Sequence, residues 1–377
     1  MAQITRRGFL KAVSAATVGL SASSTFAAAQ RKRVFIASNA SDGILAYDWD
    51  EATGELAPAG VAAQVATVDW LAFSLDRKTI FAAAEVESFN GKPTGEVASF
   101  RLDHGKLSPV SAVNSASKGT CHVALDHSGR VLLAADYGGG SVASFRVSPS
   151  GRLSDVVWSE HYTLHGAKNE RQDSPHAHFA SYSPDNRFAY INDLGSNCIH
   201  IYKLDAAAAK LTPAGAYEAR AGAGPRTLHF HPNGRTAYCV NELDSTVDVL
   251  AWHASDGSLT LTTRIELLPA GYHGPTRGCD TVITRDGRNV YFANRDDNFL
   301  YAFNANPQTG ALTPIGRTSC GGKTPRNFTL DPTERWMVVA NQDSNLLSVF
   351  ARNPQTGGLA NEGRSFAAKA PMCILFA

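Results

Sequence analysis

The sequence predicts an all-β fold: a single seven-bladed β-propeller with four-stranded antiparallel blades, closed into a ring by pairing of its N- and C-terminal segments. Three observations predict it. A strand–turn–strand unit recurs at a period of roughly 46 to 57 residues, the range of propeller blades. Asn-Gly and Asp-Gly turns separate short apolar runs, a strong hairpin signal. The two ends of the chain read as the two parts of one further unit.

Composition agrees with this reading. The 377 residues suffice for two or three average domains or one large closed β architecture. With 32 Gly and only 3 Met, the chain suits short strands and tight turns. A formal net charge of +1 leaves no basic footprint for nucleic acid.

Residues 1–29 read as a separate object, a secretory signal of the twin-arginine type. "TRRGFLK" (Thr5–Lys11) precedes a modest apolar stretch, and small residues then lead to an Ala-x-Ala end. The stretch is too short and too rich in Ser and Thr to span a bilayer of ~30 Å. Its removal takes away Arg6, Arg7 and Lys11, so the mature charge is +1 − 3 = −2. The expectation is a periplasmic or secreted protein with no membrane association once the signal is gone. Such a signal resembles a route for folded cargo. The six scattered Cys, which lack CxxC or metal-ligand spacing, are therefore expected to be reduced and buried.

Residues 30–377 form the propeller. "RKRVFIASNASDGILAYDWDEATGEL" begins in the middle of a unit. Six fuller units follow, beginning at Val68, Thr120, Ala177, Pro225, Gly278 and Pro325. "APMCILFA" at the end supplies only a first strand, which completes the first blade and removes an exposed sheet edge. Turns such as "QTGAL" and "QTGGL" introduce a fourth, outer strand. A closed ring is expected to be a monomer. The segment from Ser159 to Pro175 is the longest insertion and is expected to act as a lid.

In a propeller the innermost strands line a central channel, and equivalent positions form rings. Counted from the hairpin turn, one slot holds Asp69, Cys121, His178, Arg226, Cys279, Arg326 and Met372. A second holds Asn39, Glu85, Tyr137, Leu194, Glu242, Arg295 and Gln342. Both rings are polar where a packed β core would be apolar. His229 and His231 lie between the slots of their unit and are expected to be blade-packing residues. His176, two residues before His178, is expected at the mouth.

The segments "GPRTLHFHPNGRTAYCVNELDSTVDV", "SPHAHFASYSPDNRFAYINDLG" and "GKTPRNFTLDPTERWMVVANQDSN" carry a resemblance that covers nearly the whole propeller. The sequence resembles the lactonase family of seven-bladed propellers, which includes 6-phosphogluconolactonase and carboxy-cis,cis-muconate lactonising enzyme. The resemblance implies a catalytic set of His178, Arg226, Glu242 and Arg295. It adds Arg326, in its "PRNF" motif, and Asp280 as substrate-binding candidates beside His176. "TVDW" (Thr67–Trp70) departs from the family's Pro-Ser-Tyr type of motif, so the mouth near Asp69 is expected to be reshaped.

Opening a cyclic ester needs a water, a group to take its proton and stabilisation of the oxyanion. Glu242 or His178 is the expected base, and a His among cations favours its neutral form. The Arg residues would fork onto a carbonyl oxygen or a carboxylate. No Gly-x-Ser-x-Gly or comparable nucleophile motif is present. No cofactor and no metal are expected, and the expected ligand is a small anionic or sugar lactone. Lactonisation of an unsaturated diacid, or ligand binding without catalysis, are the alternatives.

Overall fold

The computed structural model describes residues 32–40, 43–164 and 170–377. The expected export segment, residues 1–29, lies outside them. Seven four-stranded antiparallel sheets are arranged as blades. Blade 1 combines Lys32–Ser38, Ile44–Asp50 and Glu55–Ala63 with Pro371–Phe376 as its innermost strand. That pairing runs antiparallel, with Val34 opposite Phe376 and Ile36 opposite Ile374. The innermost strands of blades 2 to 7 are Val68–Phe73, Thr120–Leu125, Ala177–Tyr182, Pro225–Phe230, Gly278–Ile283 and Pro325–Leu330. The one helical element among the described residues is a 3-10 turn at Gln342–Ser344.

The blades form because each inner hairpin is apolar on both faces. Second strands such as Thr79–Ala84 and Thr236–Asn241 are buried along their whole length. A strand covered on both sides reads as a continuous apolar run rather than as an alternation. Its side chains pack against the neighbouring blades, and seven apolar clusters result, one at each blade–blade interface. The cluster between blades 4 and 5, for example, joins Tyr190 and Ile199 to Leu228, Ala237 and Leu250.

Polar pins cross the same interfaces. The hydroxyl of Tyr190 donates to Gly257 O at 2.8 Å, Tyr238 to Gly310 O at 2.7 Å and Tyr291 to Gly357 O at 2.6 Å. Each acceptor is the glycine of the next blade's outer turn. Gly310 has φ +69°, and an added Cβ would meet Thr236 of the preceding blade at 2.5 Å, so this corner admits only glycine. His231 belongs to the same class of contact, donating from Nε2 to Gly287 O at 2.8 Å. His229 also reaches across to blade 6, with Nε2 2.8 Å from Asp280 Oδ1.

One irregularity repeats in every blade. Between the innermost and second strands the register slips by an extra residue, as at Val68/Trp70, Thr120/His122, Ala177/Phe179, Pro225/Thr227 and Pro325/Asn327. In blade 6 the slip spans Gly278/Thr281, and in blade 1 it falls opposite Met372. A β-bulge leaves its extra residue out of the ladder and re-aims that side chain. The bulged residues are Asp69, Cys121, His178, Arg226 and Arg326, with Cys279 and Asp280 sharing the wider bulge of blade 6.

Candidate active site

The bulges and the strand ends after them build one cavity. The residue that follows each second strand donates its amide to the carbonyl two positions before the first-ring residue. These bonds are Glu85 N to Thr67 O (2.9 Å), Tyr137 N to Gly119 O (2.8 Å), Glu242 N to Gly224 O (2.8 Å) and Arg295 N to Arg277 O (2.9 Å). Leu194, Gln342 and Asn39 make the same bond in their blades. The backbone therefore fixes both rings of side chains at the same end of the channel.

The cavity there has a volume of about 210 Å³ and is lined by Asn39, Glu85, Cys121, Tyr137, Arg171, His178, Glu242, Arg295, Arg326, Gln342 and Met372. Ten of the eleven are ring positions read from the sequence. Arg226 lies just below, in a constriction it shares with Asp69, His178 and Thr227.

Glu242 is the centre of charge. It is 1 % exposed. Oε2 lies 2.6 Å from Arg295 Nη2 and 3.0 Å from Arg226 Nε, and Oε1 lies 2.8 Å from Arg171 Nη2. Burial alone would raise its carboxyl, but the charges of Arg295, Arg226, His178 and Arg171 outweigh burial and hold it well below the usual carboxylate range. Arg226 is further anchored by donating from Nη1 to Cys279 O at 2.5 Å. Arg226 Nε and both Nε and Nη2 of Arg295 are buried without a directed hydrogen bond.

His178 is buried, and among the described residues its Nδ1 has no hydrogen-bond partner. Burial and then the Arg226 charge push its imidazolium well below the ordinary histidine range, so the ring is neutral. Its ring meets Tyr137 edge-on at 5.5 Å.

The other expected residues divide. Arg326 lines the cavity and pairs with Asp69 at 3.2 Å. His176 sits beside the cavity rather than in its lining. Its ring stacks on Tyr137 at 4.3 Å, and Nδ1 lies 3.0 Å from Tyr137 O. Asp280 is not brought into the cavity. The bulge turns it toward neighbouring strands, where Oδ1 meets His229 Nε2 at 2.8 Å and Asn327 Nδ2 donates to Oδ2 at 3.0 Å. With both oxygens occupied and 2 % exposure, it is a structural acid rather than a substrate contact.

Two charged cavity residues escaped the sequence reading as candidates. Arg171 arrives from the long insertion, whose residues 165–169 lie outside the described ones. Its Nη2 also lies 3.0 Å from Tyr137 OH, and the adjacent Gln172 donates to Leu194 O at 2.9 Å. Only the insertion's length and its basic residues hinted at this. Glu85 was legible as a ring position but not as chemistry. Burial and then the Asp69 charge push its carboxyl up to about 7, against the pull of Arg326. Among the described residues no cluster of three or more His, Cys, Asp or Glu has metal-binding geometry.

Comparisons with known proteins identify relatives of this chain. The family model described as "Lactonase, 7-bladed beta-propeller" matches residues 30–376. The 6-phosphogluconolactonase of Bacillus subtilis (strain 168) is 30% identical over 300 residues, 79% of this chain and 84% of that protein. That of Formosa agariphila is 29% identical over 304 residues, 79% and 84% of the two chains. The structure of a periplasmic gluconolactonase from Pseudomonas aeruginosa superposes with a TM-score of 0.86 at 32% identity, over 92% of this chain and 98% of that one.

Proposed function

Because this chain belongs to the family of seven-bladed β-propeller lactonases, we propose that it hydrolyses a small anionic or sugar lactone in the cavity around Glu242, and that it does so after export. Export is supported by the paired Arg6 and Arg7 of the leading segment and by the likeness to a periplasmic gluconolactonase. The single observation that carries the catalytic reading is the juxtaposition of a neutral, buried His178 with the Glu242–Arg226–Arg295 cluster.

The chemistry divides among these groups. A water attacks the acyl carbon, and His178 takes its proton. Glu242 is the poorer base, because three guanidiniums hold it ionised and engaged. Its work is to fix Arg226 and Arg295 and offset their mutual repulsion. The guanidinium charges of those two Arg stabilise the negative charge that develops on the carbonyl oxygen. Four guanidiniums face the cavity or its floor against the carboxyl groups of Asp69, Glu85 and Glu242. That surplus favours a ligand with an anionic group, and Arg171, 46 % exposed, is placed to meet it.

Proton release from a panel running from aldonolactones to muconolactone, with and without chelator, tests this reading. Turnover that Glu242→Gln abolishes while ligand affinity persists is the expected outcome. No turnover on any lactone, with an anion still bound, would make this a ligand-binding propeller instead.

A further inference from the structure

Ring opening has a second half. The alcohol oxygen leaves as an alkoxide unless a proton reaches it, and an alkyl alkoxide is a poor leaving group. The Arg226–Arg295 side of the cavity is committed to the carbonyl oxygen. There Glu242 is ionised and held by three cations, and His178 is occupied with the proton of the attacking water.

Glu85 is placed differently. It lies on blade 2, three blades round the ring from Glu242 on blade 5 and two from His178 on blade 4, and all three line the same cavity. Its backbone is clamped from both sides, with Glu85 N donating to Thr67 O at 2.9 Å and Thr67 Oγ1 donating to Glu85 O at 3.0 Å. No hydrogen bond or ion pair among the described residues engages its carboxyl. The neighbouring acid, Asp69, is by contrast paired with Arg326 at 3.2 Å. We propose that Glu85 is the general acid that protonates the departing ring oxygen.

This assignment rests on the lactonase reading above. As the acyl C–O bond breaks, its electron pair goes to the ring oxygen and the Glu85 proton joins it. The product is a hydroxy acid, and the Glu85 carboxylate recovers a proton from the His178 imidazolium or from solvent. The charged groups that face Glu85 are Asp69 on its partner strand, Arg326 of blade 7 and Glu87 two residues on, the last paired with Lys118 at 3.0 Å. Asp69 and burial keep the proton on, and Arg326 opposes them, so the acid form persists to about pH 7.

The test uses the mature chain with glucono-1,5-lactone as the first probe, corrected for spontaneous opening. Wild-type kcat is expected to fall with a limb near pH 7 as Glu85 ionises. Glu85→Gln is expected to lower kcat on the order of 10²-fold, remove that limb and leave KM within about threefold. Glu85→Asp, which restores an acid one methylene shorter, is expected to recover part of the rate and shift the limb. Active wild type with Glu85→Gln turning over at the same rate, limb intact, overturns this assignment alone. Wild type inactive across the whole lactone panel overturns the underlying reading and this one with it.

Discussion

Replacing Glu242 by Gln keeps the side-chain volume and removes one negative charge from the midst of three cations. At an effective dielectric near 20, a unit pair about 4 Å apart is worth about 4 kcal/mol. Arg226 and Arg295 are each about 5 % exposed and would lose their counter-charge without gaining water. Removing one partner of such a buried pair costs about 3–5 kcal/mol. Arg171 is 46 % exposed and adds little, because solvent screens it. For a domain of this size about 2 °C of Tm accompanies each kcal/mol, so the variant should melt about 6–10 °C below wild type at pH 7. The sign with pH follows from the depressed carboxyl. Its contribution is complete above its ordinary value of 4.5 and is lost as pH falls toward its folded-state value. The gap between the two proteins should therefore be full at pH 7 and narrow below about pH 4.5. Millimolar citrate should narrow it at neutral pH too, by binding the uncompensated guanidiniums. Thermal melts followed by circular dichroism measure all of this. A Glu242→Gln protein melting within about 1 °C of wild type at pH 7 would refute the picture of Glu242 as the charge that holds the cavity together.

Three further outcomes are expected. Arg171→Ala removes the rim cation proposed to meet an anionic group of the ligand, so steady-state kinetics on an acidic lactone should show KM rising about tenfold with kcat changed by less than about threefold. Asp280→Asn weakens the hydrogen bond with His229 outside the cavity. Denaturant titration should show a loss of about 1–3 kcal/mol while KM and kcat on a lactone stay within about threefold of wild type. Burial pushes the Cys373 thiol up to about 12 and Cys320 up to about 11, and all six Cys are buried and unpaired. A thiol reagent at pH 8 should find almost none of them in the native protein and six per chain in guanidinium without reductant; fewer than six would mean disulfides form.

The propeller was legible because its signals repeat. A turn such as "HPNGR" or "TRDGR" marks each unit, and counting outward from it reaches the same channel position in blade after blade. That arithmetic placed Glu242 and Arg295 beside His178 although 117 positions separate the first and last of them, 295 − 178. What counting cannot see is the bulge. Strict alternation would send a first-ring residue and its second neighbour to one face, but the extra residue resets the pattern. Arg171 was hidden for the opposite reason, since it sits in a segment with no counterpart in the other blades. Glu85 was hidden because its chemistry is not a property of its own position. It arises from burial and from Asp69, and nothing in the residues "AAEVE" reveals either.

The strand Pro371–Phe376 gives the molecule a schedule. It is synthesised after every other strand, yet it is the innermost strand of the blade whose remaining strands are synthesised first. While the ribosome still holds it, blade 1 keeps an open inner edge. The clusters on both flanks of that blade also lack their last members, Met372 and Cys373 on one side and Ile374 and Phe376 on the other. Met372 is in addition one wall of the cavity. Neither the ring nor the site exists until translation has passed this point, so a prematurely terminated chain presents a sticky edge in place of a pocket. Emergence of this strand and completion of the site are a single event in time, and a nascent chain must be shielded from its neighbours until then.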